Sequence, residues 1–247
     1  MNKYYLRKYA GFTLVEMAIV LVILGFVLSA LLLPLQAQRE QVFQLQTQTT
    51  LENARRALLG FAQQQGRLPC PATAASNGMS LPLAGGTCNQ QVGFLPAVTL
   101  GIQPTDAQGF AIDGWNNRIQ YAVTQTDNTN TLNNDFTTPN GVSNKGIANL
   151  QPSLRVCSTS TGITASRCSG GTESNYLINN AAVVIYSTGA TGAQVAGGAD
   201  ETANLNNDPV FVNHDSSATA GAEFDHLVAW ISPFVLYNAM IQAGQLH

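Results

Sequence analysis

The sequence predicts an α+β protein with one long N-terminal helix followed by a domain of short strands and long loops. Three observations predict it. An unbroken apolar run from Phe12 to Leu35 continues into a Gln-, Ala- and Leu-rich segment with helical spacing that ends at Gly66. From Gly66 onward Gly, Asn, Thr, Ser and Pro dominate, with compact apolar stretches between them. Four cysteines, Cys70, Cys88, Cys157 and Cys168, all lie in this second part. At 247 residues the chain is long enough to bury a real core.

The helix comes first. Phe12 to Leu35 holds 24 residues with a single charge, Glu16, and about 20 apolar residues span a bilayer as a helix. Beyond it, Val42, Phe43, Leu45, Leu51, Leu58, Leu59 and Phe61 are spaced for one helical face that packs a globular domain. Gly66 stops the helix, and Pro69 and Pro71 follow. A continuous helix over residues 12–65 would be roughly 80 Å long at 1.5 Å per residue. Gly25 and Pro34 are its weak points.

Strands are expected at Arg118–Thr124, Leu154–Cys157, Ala181–Ser187 and Leu227–Ile231. The run AAVVIYS is the clearest, a β-branched stretch bounded by Asn and Gly. Asp127–Asn149 and Thr188–Asn207 read as long loops. Ser232-Pro233 supplies an N-cap and a first-turn proline for a last helix over Pro233–Ala243, ended by Gly244. The resulting organisation is a basic start over 1–11, 12–35 membrane helix, 36–65 helix within the globular part, and 66–247 strand domain.

Charge supports this layout. Charged residues are only 10% of the chain, far below the usual quarter, so a highly charged soluble enzyme is a poor fit. Residues 1–11 carry Lys3, Arg7 and Lys8 and no acid. Eight basic residues then face 14 acids, leaving −6 on the remainder. A basic flank before an apolar run keeps the N-terminus cytoplasmic and sends the rest across. The acidic remainder argues against binding nucleic acid through its backbone.

A secretory signal peptide, cut near Ala37, is the competing reading of the same start. Its apolar core would be about 7–15 residues long and would carry no carboxylate. A carboxylate inside a membrane run is costly and is usually functional and paired.

Gly11-Phe12-Thr13-Leu14-Val15-Glu16, preceded by basic residues and followed by the apolar run, resembles the prepilin signal of type IV pilins and type II secretion pseudopilins. The resemblance implies cleavage between Gly11 and Phe12 by a prepilin peptidase, methylation of the new Phe12 amine, and retention of the apolar helix. It also implies packing with other pilin or pseudopilin subunits through that helix. One subunit's Glu16 would then neutralise a neighbour's Phe12 amine. A buried carboxylate facing a buried cation costs much less than either alone. A Glu16 that merely reaches to the lipid headgroups is the plainer alternative.

The element order resembles the pilin-like fold, in which an antiparallel sheet lies on the long helix. Asp113-Gly114-Trp115-Asn116-Asn117-Arg118-Ile119-Gln120-Tyr121 and Ile185-Tyr186-Ser187-Thr188-Gly189-Ala190-Thr191-Gly192 resemble pseudopilin stretches that lead into and out of sheet strands. Residues 66–112 and 122–180 resemble nothing in that family.

An even cysteine count on the periplasmic side of such a chain reads as two disulfides. Of the three pairings, Cys70–Cys88 with Cys157–Cys168 closes two short loops and is the expected one. A zinc site lacks support, because there is no C-x-x-C pair and His214, His226 and His247 lie far off in sequence. No catalytic motif is present, and Asp225-His226 opens a strand with no nucleophile at motif spacing. Asp200, Glu201, Asn204, Asn206, Asp208 and Asp215 crowd one loop. Calcium takes six to eight such oxygens, and some pseudopilins hold calcium after the matching strand, which points to Asp200, Glu201 and Asp208. A solvated acidic loop is the plainer reading, and no other cofactor is expected.

The sequence thus reads as a minor type IV pilin-like structural subunit, not an enzyme. It would sit in the inner membrane with a periplasmic domain before entering a pilus. The alternatives are a type II secretion pseudopilin and a membrane-anchored periplasmic protein that never polymerises.

Overall fold

A computed structural model describes residues 11–128, 131–168, 175–192 and 197–246, with the side chains of 30–37 and 127–131 not described. Residues 1–10 of the expected leader 1–11, His247 and the side chain of Pro34 therefore lie outside the described residues. The chain forms two units, Met1–Val42 and Phe43–His247.

Helix α1 runs unbroken from Leu14 to Gln65, through both Gly25 and Pro34. In the first unit its described side chains between Leu14 and Ser29 are all exposed, including Leu14, Leu21 and Phe26. Among the described residues no helix is long and apolar enough to cross a membrane. The sequence carries the apolar run on through Leu35.

In the second unit α1 turns Thr47, Thr50, Leu51, Ala54, Leu58 and Ala62 into the core. These recur at helical spacing, but most are small. The expected stripe is corrected on this point. Leu51 and Leu58 are buried, whereas Leu45 is 63% exposed and Val42 58%. Small residues let the backbone of a neighbouring turn approach the helix. A Cβ on Gly114 would lie 2.5 Å from the carbonyl oxygen of Phe43. Gly66 closes the helix at φ +64°, a conformation that glycine adopts without penalty.

Four strands, β1 (Val92–Phe94), β2 (Gln120–Val123), β7 (Val183–Ser187) and β9 (Leu227–Ile231), form an antiparallel sheet in the order β1-β2-β7-β9. Helix α2 (Ala97–Leu100) follows β1, and the hairpin β3 (Thr126–Asn128) and β4 (Thr131–Asn133) follows β2. Helix α3 (Gly141–Lys145) comes next. One core cluster joins α1, this sheet and α5 (Pro233–Gln242) through Leu58, Tyr121, Ile185, Ile231 and Leu236. The expected cap of α5 is present, with Ser232 Oγ accepting the Val235 N–H and Pro233 in the first turn.

The sheet's other face is also covered. Strands β5 (Leu154–Cys157), β6 (Tyr176–Ala181) and β8 (Val210–Val212) form a second sheet in the order β6-β5-β8. Its Leu154, Val156 and Phe211 pack against Ala122, Val184 and Tyr186 of the first. Every residue of β7 is consequently buried, which is why VVIYS reads as continuously apolar instead of alternating. The β5–β8 pair is parallel, so the sheet content is not purely antiparallel.

The region expected as the loop Thr188–Asn207 contains helix α4 (Ala199–Asn204). The disulfides join Cys70 to Cys88 and Cys157 to Cys168, with Cα separations of 5.4 and 5.6 Å. The second packs with Ala203, Val210, Val212 and Phe224 in a small separate core.

Candidate functional site

Two places gather chemistry-bearing residues: the start of α1 and the loops around α4.

At the start of α1, Thr13 precedes the first helical residue, and Glu16 is the third residue of the helix. Glu16 Oε2 accepts the Thr13 N–H at 2.9 Å and the Thr13 hydroxyl at 2.8 Å, and the Glu16 N–H donates to Thr13 Oγ1 at 3.3 Å. This is a reciprocal capping box. It is a role for Glu16 that the reading above did not include, although the T-x-x-E spacing ahead of an apolar run announces it. Glu16 Oε1 accepts no hydrogen bond among the described residues, so one oxygen caps the helix and the other is open to a partner. Gly11 and Phe12, the expected processing residues, lie just before the cap and are exposed.

Around α4, the acidic residues form two separate arrangements. Asp200 Oδ1 accepts the Ser160 N–H at 2.5 Å, and Oδ2 lies 2.9 Å from His214 Nε2. The other His214 nitrogen lies 2.7 Å from the Asp215 carbonyl oxygen, and the ring stacks on Phe224 at 4.0 Å. Burial opposes the Asp200 charge, but the bonds from Ser160 and His214 outweigh it and hold the carboxyl below its ordinary value.

The second arrangement joins Glu201, Asp225 and His226, whose candidate donor atoms lie within 4.8 Å of one another. Glu201 is 1% exposed, and its Oε1 accepts the Asp225 N–H at 2.8 Å. Burial raises its carboxyl above the ordinary value, and the charges of Asp225 and Glu223 act the same way. Asp225 in turn accepts the Thr191 N–H and hydroxyl at 2.8 and 3.0 Å. Of the three expected calcium residues, only Glu201 belongs to this group. Asp208 instead accepts the Val210 N–H and the Asn206 amide.

The group does not fit a metal. Asn204 is fixed by Val212, accepting its N–H through Oδ1 and donating to its carbonyl through Nδ2. Its amide therefore also donates to His226 Nδ1, at 3.1 Å. The neutral ring then carries its proton on Nε2, leaving that nitrogen no lone pair for a metal. Calcium, for its part, wants six to eight oxygens, and the group supplies two carboxylates.

His226 is buried, and its Nε2 has no hydrogen-bond partner among the described residues. Burial lowers its pKa to about 4, against the opposing charge of Asp225. Between an ordinary value of about 6.5 and the folded value of about 4, the unfolded chain holds a proton that the folded chain does not. Stability is thus expected to be full above about pH 6.5 and to fall by up to about 3 kcal/mol as the pH drops to 4. Urea unfolding at pH 7 and pH 4.5 measures this, and His226→Gln is expected to flatten the difference. An unchanged difference in that variant would assign it to other groups.

Residues 6–32 match the family model described as the prokaryotic N-terminal methylation motif. This motif is the signature of type IV pilins and pseudopilins, and the match covers the N-terminal part of the chain. No curated protein and no solved structure matches the chain.

Proposed function

We propose that the chain is a minor type IV pilin-like subunit, a structural protein without catalytic activity. The observation that carries this reading is the Gly11-Phe12…Glu16 motif standing directly ahead of a helix whose side chains are exposed and apolar. Such a surface has no use in water and suits first a membrane and then the packed helices of a filament. The run Phe12–Leu35 anchors the precursor in the inner membrane, the domain from Phe43 onward lies in the periplasm, and Gly25 and Pro34 are where α1 bends on assembly. The long loops favour a low-abundance position at a filament tip.

A type II secretion pseudopilin is the second reading. It is favoured by the Asp113–Tyr121 turn and the Ile185–Gly192 stretch. Deleting the gene and scoring pili against protein secretion separates the two. A static membrane-anchored protein is the remaining alternative.

The decisive experiment is the intact mass of the protein from membranes of cells with and without a prepilin peptidase. The expected result is a chain beginning at Phe12 and one methyl heavier when the peptidase is present. A full-length mass in both would make it a static anchored protein. A start near Gln38 in both would make it a secreted domain.

A further inference from the structure

A groove of about 550 Å³ opens on the second sheet, lined by Arg155 of β5, Arg167 of the turn before Cys168, and Tyr176, Leu177, Ile178 and Asn179 of β6. Two of the chain's few cations meet here. The other arginines of this unit have partners away from this groove. Arg118 pairs with Asp106 at 2.8 Å, Arg55 lies 3.5 Å from Glu52, Arg56 donates to Asn53, and Arg67 donates to the Leu83 carbonyl. Arg155 and Arg167 have no carboxylate partner among the described residues.

Both are mounted on fixed backbone. Arg155 sits on the middle strand of its sheet and donates to the Ser153 carbonyl at 2.6 Å. Arg167 is bridged to Thr164 through two backbone hydrogen bonds and adjoins the Cys157–Cys168 disulfide. Tyr176 is pinned as well, its hydroxyl accepting the Cys168 N–H at 3.2 Å. The backbone that carries these groups is thus already held and loses little freedom on binding.

We propose that this groove binds a carboxylated saccharide. The guanidinium groups match a carboxylate with paired, charge-assisted hydrogen bonds. The Asn179 amide can both donate to and accept from hydroxyls, and Leu177, exposed two residues before it on the same face of β6, offers apolar surface to the C–H face of a sugar ring. The volume falls in the range of small-ligand sites and holds one or two sugar units. Duplex DNA fits less well, because its affinity grows with the number of phosphates neutralised; two arginines in a chain carrying −6 after its leader supply few. An extended acidic peptide would follow a strand edge, whereas this groove crosses two strands and a turn. The inference goes beyond the filament reading, since the groove lies on the globular unit and binding needs no assembly.

The test is titration calorimetry on the full-length protein in detergent micelles with trigalacturonate, using maltotriose, a DNA dodecamer and hexaglutamate as comparisons. Trigalacturonate is expected to bind and maltotriose not to. R155Q and R167Q are each expected to weaken binding by about ten-fold or more. R167Q sits on an exposed turn, so it remains informative if R155Q unfolds, and a urea midpoint for each variant reports folding. Absence of trigalacturonate binding, binding unchanged in a folded R167Q, or equal affinity for maltotriose would overturn the site. Preference for the dodecamer or for hexaglutamate would overturn the saccharide assignment.

Discussion

Replacing Asp113 with alanine is expected to destabilise the domain by about 3–5 kcal/mol, read as a large fall in the urea midpoint. Asp113 is 1% exposed and serves four donors. Its Oδ1 accepts the N–H groups of Trp115 and Asn117 at 2.9 and 2.8 Å. Its Oδ2 accepts the Ser187 hydroxyl at 2.6 Å and the Asn117 amide at 3.4 Å. Alanine leaves those donors in a site with little water, and each buried orphan costs about 1–3 kcal/mol.

The loss spreads because this turn is a junction. Gly114 N–H donates to Thr47 Oγ1 on α1 at 2.9 Å, and Trp115 packs edge-on against Phe43 at 6.1 Å. Ser187 ends β7, and the Asn117 amide reaches the Gly189 carbonyl at 2.7 Å. One carboxylate thus organises the contact between the helix, the central strand and the loop that follows it. Asp113→Asn keeps the Oδ1 bonds and is expected to lose less. A shift below about 1 kcal/mol for alanine would mean that water replaces the carboxylate there.

Sequence reasoning found what local chemistry determines. The strand Leu227–Ile231, the buried run ending at Ser187 and the helix after Ser232 were legible because β-branched residues and a Ser-Pro cap act within a few positions. It missed what only the assembled fold supplies. Strand β6 reads YLINNA, a half-exposed, Asn-containing strand that owes its place to pairing with β5. Strand β8 is three residues long and owes its place to β5. Helix α4 sits among glycines and is held by side chains at its end, notably Asn204 clamping Val212.

The helix stripe was weighted towards large apolar residues. The core also takes Thr47, Ala54 and Ala62, and at Thr47 the backbone turn at Gly114 packs directly on the helix. The N-terminal motif was fully legible, since its residues are contiguous. Glu201, Asp225 and His226 were not, because 24 positions separate the first two and nothing local announces that they meet.

Glu16 now carries two competing accounts, and a pair of variants separates them. As a capping residue it closes the first turn of α1 with Thr13, and glutamine serves the same box. As the partner of a neighbouring subunit's Phe12 amine it must carry charge. An unpaired buried ion costs about 3–5 kcal/mol, which is a hundred-fold or more in an equilibrium. Glu16→Gln and Glu16→Ala are both expected to be cleaved and methylated normally. Both are also expected to enter filaments at least ~100-fold less than the native chain, measured by quantitative mass spectrometry of sheared filaments. The two roles are compatible in geometry, since Oε2 makes the cap while Oε1 stays open. They differ in what glutamine preserves. Glutamine keeps the cap and removes the charge, so failure of both variants assigns assembly to the ion pair. Native-level entry of Glu16→Gln alongside failure of Glu16→Ala would assign it to the cap and remove the ion pair from the account.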